Sequence, residues 1–228
     1  MARMPETRSA RPRDPSRRIA GVDGCRDGWV VASSDGIEVV SSLASIWSSF
    51  DIIGIDMPIG LPPTFARVSE HQARRFLSPR GSTVFPTPPR RLLACATYDE
   101  ANALGKRVFG KGLTKQAFNL FPKLRELDAL VTVDDEDRAV EIHPECAFRE
   151  IAGRALAPKR SAEGRAQRVA LLEPIVGAID VRVRGARADD VLDAVAVRWS
   201  AERFARGEHV ELGDGARDER GLLMRIVY

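Results

Sequence analysis

The chain has 228 residues, with 35 Lys or Arg against 32 Asp or Glu and a formal net charge of +3; 44% of it is hydrophobic and 29% charged. That composition suits one large soluble domain, or one domain with an insertion, able to bury a sizeable core. The mild charge lacks the lopsidedness of a strongly basic nucleic-acid binder, and no apolar run approaches the roughly 20 residues that a membrane span needs.

Residues 1–17, MARMPETRSARPRDPSR, are rich in Arg and lack the apolar core of a secretory signal, so they are expected to form a disordered tail before a single domain over 18–228. Cys25, Cys95 and Cys146 are far apart and odd in number, with no zinc spacing, which points to reduced thiols and a cytoplasmic setting. Beyond the tail, Ile19–Gly21, Trp29–Ser33 and Ile37–Val40 read as three strands of a meander, turning at Arg26-Asp27-Gly28 and Ser34-Asp35-Gly36. The segment SSLASIWSSF has helical spacing with Ser41 or Ser42 as its cap. Ile52-Ile53-Gly54-Ile55 is apolar on both faces, as a central parallel strand requires, and Pro58 stops it.

An insertion of about 62–135 follows. A helix is expected over Val68–Leu77, then SPRGSTVFPTPPRRLL, too rich in Pro and Gly for regular structure and more apolar than an idle loop. Two helices come next, the second carrying the stripe Ala117, Leu120, Leu124, Leu127 and Leu130/Val131. DRAVEIHPE gives a short strand closed by Pro144; GRAQRVALLEPIVGAI and ARADDVLDAVAVRWSAERFARG give helices; Val210–Tyr228 gives a terminal hairpin turning near Gly213–Gly215. Strands alternating with helices after a meander predict an α/β fold with a mixed sheet.

Acids recur at element ends. Asp23 follows the first strand, Asp56 the fourth, Glu141 and Glu145 flank the fifth, and Asp189, Asp190 and Asp193 lie on the last long helix. Sites in open α/β sheets form beyond the carboxyl ends of the strands, which Asp23 and Asp56 reach if their strands are parallel neighbours. Glu141 and His143 share one strand face, and Asp190 and Asp193 one helical face. Several carboxylates in one cleft repel unless protons or cations intervene, and Mg²⁺ or Mn²⁺ prefers such oxygen ligands. Two ions about 4 Å apart can activate a water and stabilise the leaving oxygen of a phosphodiester.

Each acid also has a local explanation. Asp23 and Asp56 can form turns, Asp189 and Asp190 can cap their helix, and Glu141 can pair with an arginine. His143 reads as a satisfied structural histidine. Asp193 resists such a reading, because Val191, Leu192, Ala194 and Val195 surround it on an apolar helix where an unpaired acid is costly.

The segments GVDGCRDGWVVA, IGIDMPIGLP, RRFLSPRGSTVFPTPPRRLL, GLTKQAFNLFPKLRELD, EIHPE and DDVLDAVA together resemble the domain-of-unknown-function family 429, grouped with predicted nucleases of the ribonuclease-H-like fold. The resemblance runs from about Arg18 to about Gly207. It implies a five-stranded mixed sheet in the order 3-2-1-4-5 flanked by helices, the second strand antiparallel, with a helical and Pro-rich insertion after strand 4. It also implies that Asp23 and Asp56 lie side by side with the Asp190/Asp193 helix crossing nearby.

The expected activity is divalent-metal-dependent phosphodiester hydrolysis. Asp23, Asp56 and Asp193 are the expected metal ligands, Asp190 with Glu141 or Glu145 completes the catalytic set, and nucleic acid or another phosphodiester is the substrate. Arg74, Arg75, Arg80, Ser82, Thr87, Arg90, Lys115, Gln116 and Lys159 are candidates for phosphate contacts, unless the arginines pair with Glu70, Asp99 and Glu100. The alternatives are a non-catalytic binding module and an actin-like nucleotide-binding domain, for which Gly-Cys-Arg-Asp-Gly-Trp after Asp23 is a poor phosphate loop.

Overall fold

The computed structural model describes residues 16–228, so the expected tail lies almost wholly outside the described residues. The central sheet holds β1 (Ile19–Cys25), β2 (Gly28–Ser33), β3 (Gly36–Val40), β4 (Ile52–Ile55) and β5 (Ala139–Glu141) in the order β3-β2-β1-β4-β5. β2 is antiparallel to both of its neighbours, whereas β1, β4 and β5 are parallel. This is the mixed five-stranded sheet that the resemblance implies.

β1 runs farther than its apolar run. Gly24 pairs with Trp29 and Cys25 with Gly28, so Asp23 sits inside the strand opposite Val30, two residues before the turn. β4 follows the apolar pattern, and Asp56 comes directly after it, its backbone N–H donating to the Val22 carbonyl at 2.9 Å.

The sheet is covered on both faces. On one, Ala20, Val22, Ile53 and Ile55 pack with Trp29 of β2 and with Phe121, Leu124 and Leu127 of the insertion. On the other lies α7 (Ala188–Arg206), backed by α5 (Pro144–Ala152) and α6 (Ala162–Val176). Two glycines let α7 lie close to the sheet. A Cβ on Gly21 would stand 2.1 Å from the Arg198 backbone nitrogen and 2.2 Å from the Ala194 carbonyl oxygen, and one on Gly54 3.0 Å from Ala201 Cβ and 3.1 Å from Val197 Cγ1. Neither position has room for a side chain.

The remaining helices are α1 (Val68–Phe76), α2 (Tyr98–Phe109), α3 (Lys115–Asn119) and α4 (Phe121–Leu130). Several elements differ from expectation. Ser41–Phe50 contains only a single 3₁₀ turn, Leu43–Ser45, because the Glu126 carboxylate takes the Ser42 hydroxyl and the Leu43 N–H and fixes the chain there. The helix after Thr114 divides at Leu120, with Pro122 in the first turn of α4, where the missing N–H costs nothing. The strand ends before Pro144 as expected, but Pro144 also opens a helix not expected there, α5, capped by His143, since proline suits the first helical position. The terminal segment pairs β6 (Glu211–Leu212) with β7 (Ile226–Val227), and the chain reverses at Asp218–Gly221 rather than at Gly213–Gly215.

Candidate functional site

Strand alternation and helix placement bring three acids to one point. Ile19, Gly21 and Asp23 share the α7-facing side of β1, and Ile52, Gly54 and Asp56 the same side of β4 and its end. Because α7 touches β1 at Gly21 through Ala194 and Arg198, the preceding residue of that helix, Asp193, comes down beside Asp23 and Asp56. Each of the three offers one carboxylate oxygen, and these oxygens all lie within 4.8 Å of one another. Asp193 is 2% exposed and Asp23 8%, and Asp193 Oδ1 has no hydrogen-bond partner.

Burial and mutual repulsion dominate the electrostatics. Loss of solvent, then the charges of Asp56, Asp193 and Asp190, hold the Asp23 carboxyl well above the usual range. Asp56 is raised well above it by burial and by Asp193. Asp193 is pushed up to about 6 by burial, with Lys159 pulling against the rise. Lys159 Nζ donates to Asp193 Oδ2 at 2.7 Å. Burial works against the lysine's charge, but Asp193, its hydrogen bond, Asp56 and Asp23 together carry its pKa above the ordinary lysine value. A hard divalent cation fits this donor set: all three ligand groups are carboxylates, they converge from rigid elements, and one buried oxygen lacks a partner.

The other expected acids stand differently. Glu141 lines the same cavity but lies on the opposite sheet face with Ile55, where Arg67 donates to both of its oxygens at 3.0 and 2.6 Å and the Ile59 N–H donates at 2.9 Å. Arg67 is buried, and although burial opposes its charge, Glu141 and then Glu70 hold the guanidinium above its ordinary value. Glu145, at the start of α5, also lines the cavity and is held by Arg168 Nη2 at 2.7 and 2.9 Å. Asp190 accepts the Arg187 N–H at 3.0 Å and caps α7, and Asp189 faces Arg165 at 3.6 Å.

His143 Nδ1 accepts the Glu145 N–H at 3.2 Å, and the ring also hydrogen-bonds to the Thr83 backbone. Burial keeps its pKa below the ordinary histidine value. The imidazole thereby ties α5 to the Pro-rich loop as a neutral structural group.

A cavity of about 360 Å³ stands over the three aspartates. Phe85, Pro86 and Pro88 of the loop and Leu120 and Leu124 of α3–α4 make its apolar side. Of the expected phosphate-contacting residues, Arg80, Thr87, Gln116 and Lys159 line it. Arg80 donates to the Leu156 carbonyl at 2.6 Å, and the Thr87 hydroxyl accepts from Arg67 at 3.1 Å. Arg74, Arg75, Ser82, Arg90 and Lys115 are not among the lining residues. Arg74 binds Glu70 and the Val84 carbonyl, Arg90 is enclosed by Asp128, Asp218 and Glu219, Lys115 lies over the Tyr98 ring, and Arg75 and Ser82 face solvent.

Arg67 and Arg168, which hold Glu141 and Glu145, are not among the residues singled out from the sequence. Arg67 carries no periodic signal. Arg168 does, because Gly164, Arg168 and Leu172 share the buried stripe of α6, and an arginine on such a stripe announces a buried partner.

The family model described as "Protein of unknown function (DUF429)" matches residues 21–217. The chain belongs to this family. That span takes in β1 through α7 and therefore all three aspartates. No curated protein and no solved structure matches the chain.

Proposed function

We propose that this DUF429 protein is a divalent-metal-dependent phosphodiester hydrolase, with Mg²⁺ or Mn²⁺ held by Asp23, Asp56 and Asp193. The observation that carries this reading is the buried Asp193, which has one unpartnered oxygen and belongs to a three-carboxylate cluster on the floor of a cavity. An uncompensated acid on a helix facing a sheet is costly, and three together cost more unless a cation offsets them. The sheet order, which the resemblance links to ribonuclease-H-like nucleases, and the position of the acids at the carboxyl ends of parallel strands support the same reading.

A divalent ion at this position supplies Lewis-acid activation of water and neutralises charge on a phosphoryl group. The chain's own residues do the rest. The aspartates present their oxygens from β1, the end of β4 and α7, which are packed closely together. Gln116 and Arg80 place polar groups on the cavity wall. Phe85, Pro86, Pro88, Leu120 and Leu124 exclude water from one side and offer a face for a nucleobase or another flat apolar group. An actin-like nucleotide domain fits less well, since only Arg26 and Asp27 connect β1 to β2 and no loop remains there to wrap phosphates.

The test is calorimetric titration of Mn²⁺ into the protein, into Asp23→Asn and into Asp193→Asn, alongside hydrolysis of bis(p-nitrophenyl) phosphate and of a single-stranded oligonucleotide. Mn²⁺ binding that both substitutions abolish, with hydrolysis lost in parallel and both variants folded, is the expected result. A wild type that binds no Mn²⁺, with or without the oligonucleotide, overturns it.

A further inference from the structure

The acid inventory around the cluster has a consequence for how many ions it can hold. A second divalent ion beside the first needs carboxylates of its own or ones it can bridge. Glu141 is occupied by Arg67 and the Ile59 N–H, Glu145 by Arg168, and Asp190 by the Arg187 N–H. That leaves Asp23, Asp56 and Asp193, each of which offers one oxygen to a cluster whose members lie within 4.8 Å of one another. Asp193 Oδ2 already has a cation, Lys159, at 2.7 Å, while its Oδ1, in a residue 2% exposed, has no partner.

The backbone that carries the lysine is fixed, although the side chain itself is 43% exposed. The Ala157 N–H donates to Gln167 Oε1 at 2.8 Å, and Arg168 Nη1 donates to the Ala157 carbonyl at 3.1 Å. The Ser161 hydroxyl donates to the Pro158 carbonyl at 2.7 Å and accepts the Gly164 N–H at 3.0 Å as the cap of α6. Gly164 is required there, since a Cβ would stand 2.1 Å from the Pro158 carbonyl oxygen. The turn that carries Lys159 is thus pinned on both sides. Arg168, which fixes that turn, also neutralises Glu145, so one buried arginine sets both the lysine and the missing ligand.

We propose that Lys159 is a resident cation of this site, occupying the place of a second metal ion, so that the protein works with one divalent ion and one ammonium group. The inference rests on the metal-dependent reading above. Charge balance agrees: one divalent ion and one lysine match three carboxylates, whereas two ions and the lysine would exceed them.

The experiment is calorimetric titration of Mn²⁺, with electron paramagnetic resonance of the bound ion, on the wild type, Lys159→Met and Lys159→Arg. Lys159→Met keeps an apolar stem of similar length, and thermal melts confirm folding of each variant. The wild type is expected to bind one Mn²⁺ with no Mn–Mn coupling. Lys159→Met is expected to bind Mn²⁺ at least about tenfold more tightly, because a positive charge beside the ion is removed. Its hydrolysis of bis(p-nitrophenyl) phosphate is expected to fall and not to recover with excess metal, whereas Lys159→Arg keeps affinity near wild type. Two coupled ions in the wild type overturn the proposal, as does unchanged or weaker binding in a folded Lys159→Met. Absence of any Mn²⁺ binding to the wild type removes the metal-dependent reading itself, a separate outcome from either of these.

Discussion

Gly21 of β1 and Ala194 of α7 meet backbone to backbone: the Cβ that Gly21 lacks would stand 2.2 Å from the Ala194 carbonyl oxygen. That contact sets the depth at which α7 lies on the sheet, and Asp193 is its immediate neighbour. Gly21→Ala must push the helix away or bend the strand. Overpacking against backbone, which cannot rotate aside, is expected to cost at least about 3 kcal/mol in urea unfolding. Whatever folded fraction survives is expected to bind Mn²⁺ more weakly, as calorimetry on the purified variant will report.

The carboxyl of Asp193, raised to about 6, makes metal-free stability depend on pH. A proton held more tightly in the folded chain than in the unfolded one stabilises the fold at low pH, and the contribution fades as pH rises through the folded value. The melting temperature without metal is therefore expected to fall from about pH 4 to about pH 7, by the equivalent of roughly 2–3 kcal/mol for this group. Saturating Mn²⁺ is expected to flatten the profile by stabilising the ionised acids, most strongly at the upper end. Melts in EDTA and in Mn²⁺ across that range check both.

Asp56 is the least enclosed of the three and is raised by burial and by Asp193. Asp56→Asn removes a repulsive charge while keeping the shape. In EDTA at neutral pH this variant is expected to melt above the wild type, and in Mn²⁺ below it. A gain without metal combined with a loss with metal separates a functional acid from a turn-forming one.

Arg67 is fully enclosed and joins Glu141, Glu70, Thr87 and the Ile59 carbonyl. Arg67→Ala leaves two buried carboxylates facing each other, and about 3–5 kcal/mol of stability is expected to go with it. Pairing the change with Glu141→Gln is expected to restore a good part of that loss, which a double-mutant cycle in urea measures.

Phe85 is 46% exposed at the apolar side of the cavity, so its removal costs the fold little. Phe85→Ser is expected to leave the melting temperature within about 1 °C of wild type while raising KM for aromatic phosphodiesters several-fold at nearly constant kcat. Steady-state kinetics with aryl and alkyl phosphodiesters distinguish this from a general loss of activity.

The parts that could be read from sequence were those where one physical signal stood alone. Ile52–Ile55 has no polar residue, so a buried strand was the available reading, and Asp193 stood out because Val191, Leu192, Ala194 and Val195 around it are all apolar. Where two signals competed, the reading went astray. Pro144 is as good a start as a stop, and only the His143 ring over the Glu145 N–H shows that it starts α5. Ser41–Phe50 has helical spacing, but a carboxylate from Glu126, 84 positions beyond Ser42, decides its conformation. The partners of Glu141 and Glu145 were invisible for the same reason. Arg67 lies 74 positions from the one and Arg168 23 from the other, distances at which sequence carries no pairing information without the fold.

Asp23 and Asp193 are separated by 170 positions, yet their oxygens converge within 4.8 Å. Their repulsion is therefore absent from any partly folded chain in which α7 has not docked. It appears only when the helix closes on Gly21. Until then the sheet meets only the repulsion between Asp23 and Asp56 on its paired strands, and the three-carboxylate cluster is incomplete. If the proposed site binds a divalent ion, its uptake during refolding is expected to report the docking of α7 on the sheet.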